Sequence, residues 1–155
     1  MTKYEELIDE HKDVKFVDYQ FKSNRIKGLY CNGVVATSNQ LSTNEKNGTI
    51  AEELGHYHTS SGDIIDMNSV SNRKQELKAR AWAYDKLINL QGLINAFEHN
   101  CTNLYETAEF LDVTEDFLLD TIKAYQAKYG NYKTFNDYVI MFNYPNVNIM
   151  KFNRR

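Results

Sequence analysis

Residues 51–56 read Ala-Glu-Glu-Leu-Gly-His, followed by Tyr57 and His58, inside a stretch with helical character. A metal-binding helix of the H-E-x-x-H type places two ligands at i and i+4, one turn apart on one face. The Glu at i+1 then polarises the metal-bound water. Here His56 holds the second ligand position and Glu53 the i+1 position, while Glu52 stands where the first His would be. A carboxylate ligates zinc at about 2.0–2.2 Å, so Glu52 and His56 can share one ion. As a bare pattern, E-E-x-x-H is weak, because Glu-rich helices containing a His are common.

A second helix strengthens the reading. Residues 72–88 favour helix, with Leu77, Ala81, Tyr84 and Ile88 at i, i+4, i+7 and i+11, a spacing that predicts the buried face. Glu76 follows twenty positions after His56. Ala79 and Ala83 are small enough to let another helix come close. A third ligand from a neighbouring helix needs such close packing.

Working outward, residues 3–12 pattern as a short amphipathic helix and residues 14–19 as a strand. Two short β-like runs, Lys27–Tyr30 and Val34–Thr37, flank Asn32-Gly33. That pair tolerates positive φ and is a strong hairpin signal. The motif helix is expected to start near Ser42–Asn44, which supply capping side chains, and to stop in the cluster Thr59–Gly62. A loop over Asp63–Asn72 is expected next. Further helices are expected over 90–98 and, separated by a turn near Asp112–Thr114, up to Gly130. The tail reads as extended, with one strand at about Tyr138–Phe142 that Pro145 breaks.

The two quoted helices resemble the ImmA/IrrE family of metallopeptidases, in the short form carried by phages and integrative elements. TIAEELGHYHTSSGDI is one matching stretch. The other is KQELKARAWAYDKLI, which resembles the family's E-x-x-A-x-x-[FY]-A signature with Glu76, Ala79, Trp82 and Ala83 in the corresponding places, Trp82 standing where the signature has Phe or Tyr. The resemblance is loose over residues 3–130 and close over 49–88. It implies an α+β protein: a mainly helical, zincin-like fold with a small antiparallel sheet and a C-terminal helical segment. Residues 1–100 would form the peptidase-like core and 101–155 a helix-turn-helix-like packing segment and tail, in one compact unit. It implies zinc held by Glu52, His56 and Glu76, with Glu53 as general base. The implied role is control of lysogeny and induction by cleaving or disabling a repressor of the same element. The alternative is a non-catalytic regulator on a peptidase scaffold, acting by contact with a repressor or antirepressor.

Glu52 changes the chemistry. Two carboxylates and one imidazole carry −2 and cancel a divalent ion's charge, which weakens it as a Lewis acid. Harder oxygen donors also shift preference from zinc towards manganese or iron. Modest activity, a different ion, or a structural site are all compatible with this set.

Other residues read more plainly. His58 sits about 200° around the helix from His56 and points away from the same ion, as a C-terminal-turn His favoured by the helix dipole. Tyr57, Trp82 and Tyr84 read as packing residues, and His11 and His99 as isolated structural histidines. Cys31 and Cys101 lack metal-ligand spacing and read as reduced thiols. Residues 107–117 resemble a helix-turn-helix, but the second helix would carry Glu115, Asp116 and Asp120 against Lys123. With a net charge of −3, that argues against DNA as partner. No secretory leader or membrane span is recognisable, so the expected location is the cytoplasm of a bacterial host.

Overall fold

The computed structural model describes residues 1–59 and 70–152, with side chains from residue 73 onward in the second stretch. Most of the expected loop and of the expected helix stop at Thr59–Gly62 lies outside these residues, and the last three loop positions, 70–72, are already helical. The chain falls into two compact units, Met1–Lys86 and Leu87–Arg155.

The first unit opens with α1 (Lys3–Asp9), whose N-cap Thr2 and Glu5 form a reciprocal capping box. A three-stranded sheet follows: β1 (Lys15–Tyr19), β2 (Gly28–Cys31) and β3 (Val34–Ser38), in the order β1-β3-β2. Asn32 and Gly33 adopt φ of 47° and 79°, which is the backbone a tight β2–β3 turn requires. The sheet is mixed, not purely antiparallel as expected. β1 runs parallel to β3, with Lys15 opposite Val34. That pairing joins strands far apart in sequence, so no local turn signal announces it.

The motif helix is α2 (Thr43–Thr59). Ser42 and Glu45 cap it reciprocally: the Glu45 N–H donates to Ser42 Oγ (3.2 Å) and the Ser42 N–H to Glu45 Oε1 (3.3 Å). Asn47, Gly48, Ile50, Ala51, Leu54 and Gly55 are buried, and the sheet packs on α2 through β2 and β3. α3 (Val70–Leu87) follows. Its buried stripe runs through Ala79 and Ala83, both fully buried. The expected stripe holds at Tyr84 and Ile88, both buried, and is corrected at its N-terminal half, where Leu77 is 65% exposed and Ala81 is exposed too. Where α3 meets α2 at Gly55 the contact is made by the small residue Ala79, which allows close approach.

The contact between these helices is tight. A Cβ added to Gly55 would lie 2.2 Å from the Ala79 carbonyl oxygen and 2.9 Å from Ala79 Cα. Both are backbone atoms, and neither can step aside without moving α3.

The second unit holds α4 (Asn89–Glu98), α5 (Leu104–Phe110) and α6 (Glu115–Tyr129), then β4 (Tyr132–Phe135), β5 (Tyr138–Asn143) and β6 (Asn146–Lys151). Asn103 and Thr114 cap α5 and α6 by accepting from the N–H groups of Glu106 (2.8 Å) and Phe117 (3.0 Å). Asp112 takes φ 57° in the turn between them. Where one strand was expected, the tail forms an antiparallel three-stranded sheet, order β4-β5-β6. Asn136, at φ 54°, begins the first reversal, and Pro145 lies in the second, between β5 and β6. Ile140 and Phe142 are buried with Leu118, Ile122 and Tyr125 of α6. Glu115, Asp116, Asp120 and Lys123 are exposed along α6.

Gly55→Ala forces α2 and α3 apart, and overpacking of this kind costs about 1–3 kcal/mol. Denaturant unfolding should show a midpoint lowered to match, whereas Ala81→Ser, on the exposed side of α3, should leave it within about 0.5 kcal/mol.

Candidate metal centre

The Gly55–Ala79 contact sets what surrounds it. One residue beyond Gly55, His56 Nε2 lies 2.9 Å from Glu76 Oε2 on α3. The second oxygen of Glu76 meets Arg80 Nε at 3.3 Å, one turn along the same helix. Glu76 is thus held from both sides, by an imidazole across the helix pair and by a guanidinium on its own helix. His56 is largely screened from solvent, its side chain 19% exposed.

Glu53 lies on the adjoining face of α2. Burial raises its carboxyl from 4.5 to about 7, and the negative charges of Glu52 and Glu76 push in the same direction. The backbone N–H of Tyr30, on β2, donates to it and opposes that rise. Glu52, Glu53 and Glu76 therefore bear on one another closely enough to alter the ionisation of the middle one.

The sheet brings its edge to this point. The Ser38 N–H donates to the Lys27 carbonyl at 2.7 Å, so Lys27 and Ser38 form a hydrogen-bonded pair. Pairs alternate along an antiparallel ladder. Leu29 therefore turns its backbone groups to Ala36, while Gly28 and Tyr30 turn theirs to the outer edge of β2. Tyr30 meets Glu53 there. A Cβ on Gly28 would lie 2.5 Å from Thr49 Cγ2 and 3.3 Å from Glu53 Cγ, so glycine lets the edge strand settle against α2.

The four residues singled out from sequence occupy one region. His56 and Glu76 are in direct contact, Glu53 adjoins them, and Glu52 acts on Glu53 through its charge. Among the described residues no three His, Cys, Asp or Glu side chains already form a closed group able to hold an ion. The donor set fits a divalent cation in kind: one imidazole and carboxylates whose mutual repulsion a positive ion would relieve.

Two partners of this region were not legible beforehand. One is the Tyr30 N–H. The other is a cluster beside the site. His11 is buried and its Nε2 lies 2.7 Å from His58 Nε2. The His58 ring stacks on Trp82, with centroids 4.6 Å apart and planes 20° from parallel. His11 is therefore not the isolated residue expected, and His58, in the last turn of α2 as expected, has ring partners of its own. Their positions, 47 residues apart, carry no local signal of pairing.

The metal-free protein should show a signature of Glu53. The unfolded chain ionises this carboxyl near 4.5, while the folded chain keeps its proton up to about 7. The unfolded state therefore releases its proton first, and stability falls as pH rises between those values. In chelator-treated protein the wild type should lose stability across that window, and Glu53→Gln should flatten the loss; equal slopes would contradict the placement of Glu53.

The family model described as the IrrE N-terminal-like domain, peptidase family M78, matches residues 9–123. No curated protein and no solved structure matches the chain. The matched stretch runs from the end of α1 into α6 and includes all four acidic and imidazole side chains of the site. With the paired helices and the His56–Glu76 contact, this places the chain in the ImmA/IrrE family of metallopeptidases.

Proposed function

We propose that this protein is a metal-dependent peptidase of a phage or mobile element, working in the cytoplasm of its bacterial host, and that its substrate is a repressor of the same element. The observation that carries the peptidase reading is the convergence of His56 and Glu76 at 2.9 Å beside the desolvated Glu53. Glu52, His56 and Glu76 would hold the ion, zinc by family and manganese or iron by the oxygen-rich donor set. A bound divalent cation supplies Lewis acidity towards water and the scissile carbonyl.

The chain's own residues supply the rest. Glu53 is a general base: it takes a proton as water adds to the peptide carbonyl and delivers one to the departing amine, leaving a carboxylate and an amine as products. With the charges of Glu52 and Glu76 cancelled by the cation they hold, less opposes ionisation of Glu53, so its carboxyl can lose its proton and act as a base, while its burial keeps it more basic than an exposed carboxylate. β2 turns the backbone groups of Gly28 and the Tyr30 carbonyl outward, while the Tyr30 N–H holds Glu53, so an extended peptide can pair along this edge next to Glu53. An extended segment, such as the linker of a repressor, suits such an edge.

A protein partner also fits the charges better than DNA. The exposed face of α6 carries Glu115, Asp116 and Asp120 with Lys123, an arrangement that repels phosphates. No helix among the described residues is long and apolar enough to cross a membrane.

Glu53→Gln should lower repressor cleavage by at least about 100-fold, the usual range for loss of a general base, while metal uptake and repressor binding persist. The measurement is cleavage of co-purified repressor, followed by mass, beside relief of repression in cells. Cleavage retained in the variant would sink the catalytic role. Full derepression by a variant that does not cleave would instead favour action by contact alone.

A further inference from the structure

The cluster of His11, His58 and Trp82 takes no part in the chemistry above, yet it joins the same two helices. His11 follows α1 and is 5% exposed. Its Nδ1 lies 2.7 Å from the Leu7 carbonyl oxygen. A carbonyl only accepts, so Nδ1 carries a proton. In a neutral ring Nε2 is then a bare acceptor, and His58 Nε2, 2.7 Å away, has to be the donor. The pair is thus a directed chain, from His58 Nε2–H to His11 Nε2 and from His11 Nδ1–H to Leu7.

His58 lies in the last turn of α2, two residues beyond His56. Trp82 lies on α3, six residues beyond Glu76. The His58–Trp82 stack is therefore a second attachment between α2 and α3, beyond the Gly55–Ala79 contact. His11 also meets Trp82 edge-on, with centroids 6.0 Å apart. A single contact at Gly55 sets how near the helices come but lets α3 pivot about it. A second contact, roughly one turn further along each helix, fixes the pivot. The imidazole chain anchors that second contact to α1.

We propose that His11 and His58, backed by Trp82, form a positioning device that sets the register of His56 against Glu76, a role that rests on the metallopeptidase reading above. Neither histidine touches the reacting atoms. They act through the helices, as hydrogen-bonded partners behind metal ligands do when they fix ligand orientation.

The test is cobalt(II) titration of the full chain, read by visible absorption and calorimetry, for wild type, His58→Met and His58→Gln. Met keeps apolar contact with Trp82 but donates nothing to His11, whereas the Gln amide restores a donor. His58→Met should remain folded by circular dichroism and bind cobalt at least about tenfold more weakly, and His58→Gln should recover most of that loss. A folded His58→Met with wild-type cobalt affinity and a merely lower melting temperature overturns the positioning role alone. A wild type that takes up no cobalt overturns the peptidase reading and this role together. Ring-nitrogen NMR of the metal-free wild type decides the case even where a variant fails to fold. His11 protonated at Nδ1 and His58 at Nε2 are expected, and the opposite tautomer at His11 overturns the arrangement.

Discussion

The site depends on the absence of one methyl group. Gly55 lets the backbone of α2 lie against the backbone of α3 at Ala79, closer than any residue with a Cβ allows. Because the next residue is His56, the imidazole is delivered to α3 at the level of Glu76. Ala79 and Ala83, fully buried, extend the close packing along α3. The apparent weakness of α3 as an amphipathic helix has the same origin. Around the Gly55 contact its packing face is built from small residues while Leu77 faces solvent, and the larger buried residues, Tyr84 and Leu87, come only towards its C-terminus.

The same packing concentrates negative charge. Three carboxylates share a partly desolvated region, and the one in the middle, Glu53, retains its proton to about 7 when nothing neutralises its neighbours. Such an arrangement is unfavourable in a chain that only needs to fold, since burial and like charge both oppose ionisation. It is useful in a chain that binds a cation and moves protons. The edge strand adds to this: the Tyr30 N–H ties the Glu53 carboxylate to β2, and the outward groups of that strand face the place where a peptide would react.

Much of this was legible in the sequence because its signals are local. Asn32-Gly33 announced the β2–β3 turn, and Ser42 the start of α2. The spacing of Glu52, Glu53 and His56 defined one helix face, and Glu76 with Ala79 named the neighbour. Most of the rest depends on contacts between distant residues. The parallel pairing of β1 with β3 and the His11–His58 hydrogen bond join segments with no short-range pattern, whereas the sheet over Tyr132–Lys151 is two tight hairpins whose turns carry no Asn-Gly-type signal. The buried face of α3 was read correctly at Tyr84 and Ile88 but not at Leu77, because periodicity weighs apolar residues by size while the close contact with α2 is made by Ala79. In the tail, Pro145 does follow the end of the expected strand, and what the reading lacked is that the chain turns back there into β6.

The central claim is that α2 and α3 together make a metal centre. It is tested most directly by the metal content of protein purified without chelator or added metal, compared with Glu76→Ala. About one equivalent of zinc, manganese or iron in the wild type, lost or sharply reduced in the variant, is the expected result. A wild type that carries no metal and takes none up on titration would contradict it. The His56–Glu76 contact would then be an ion pair that only fastens two helices.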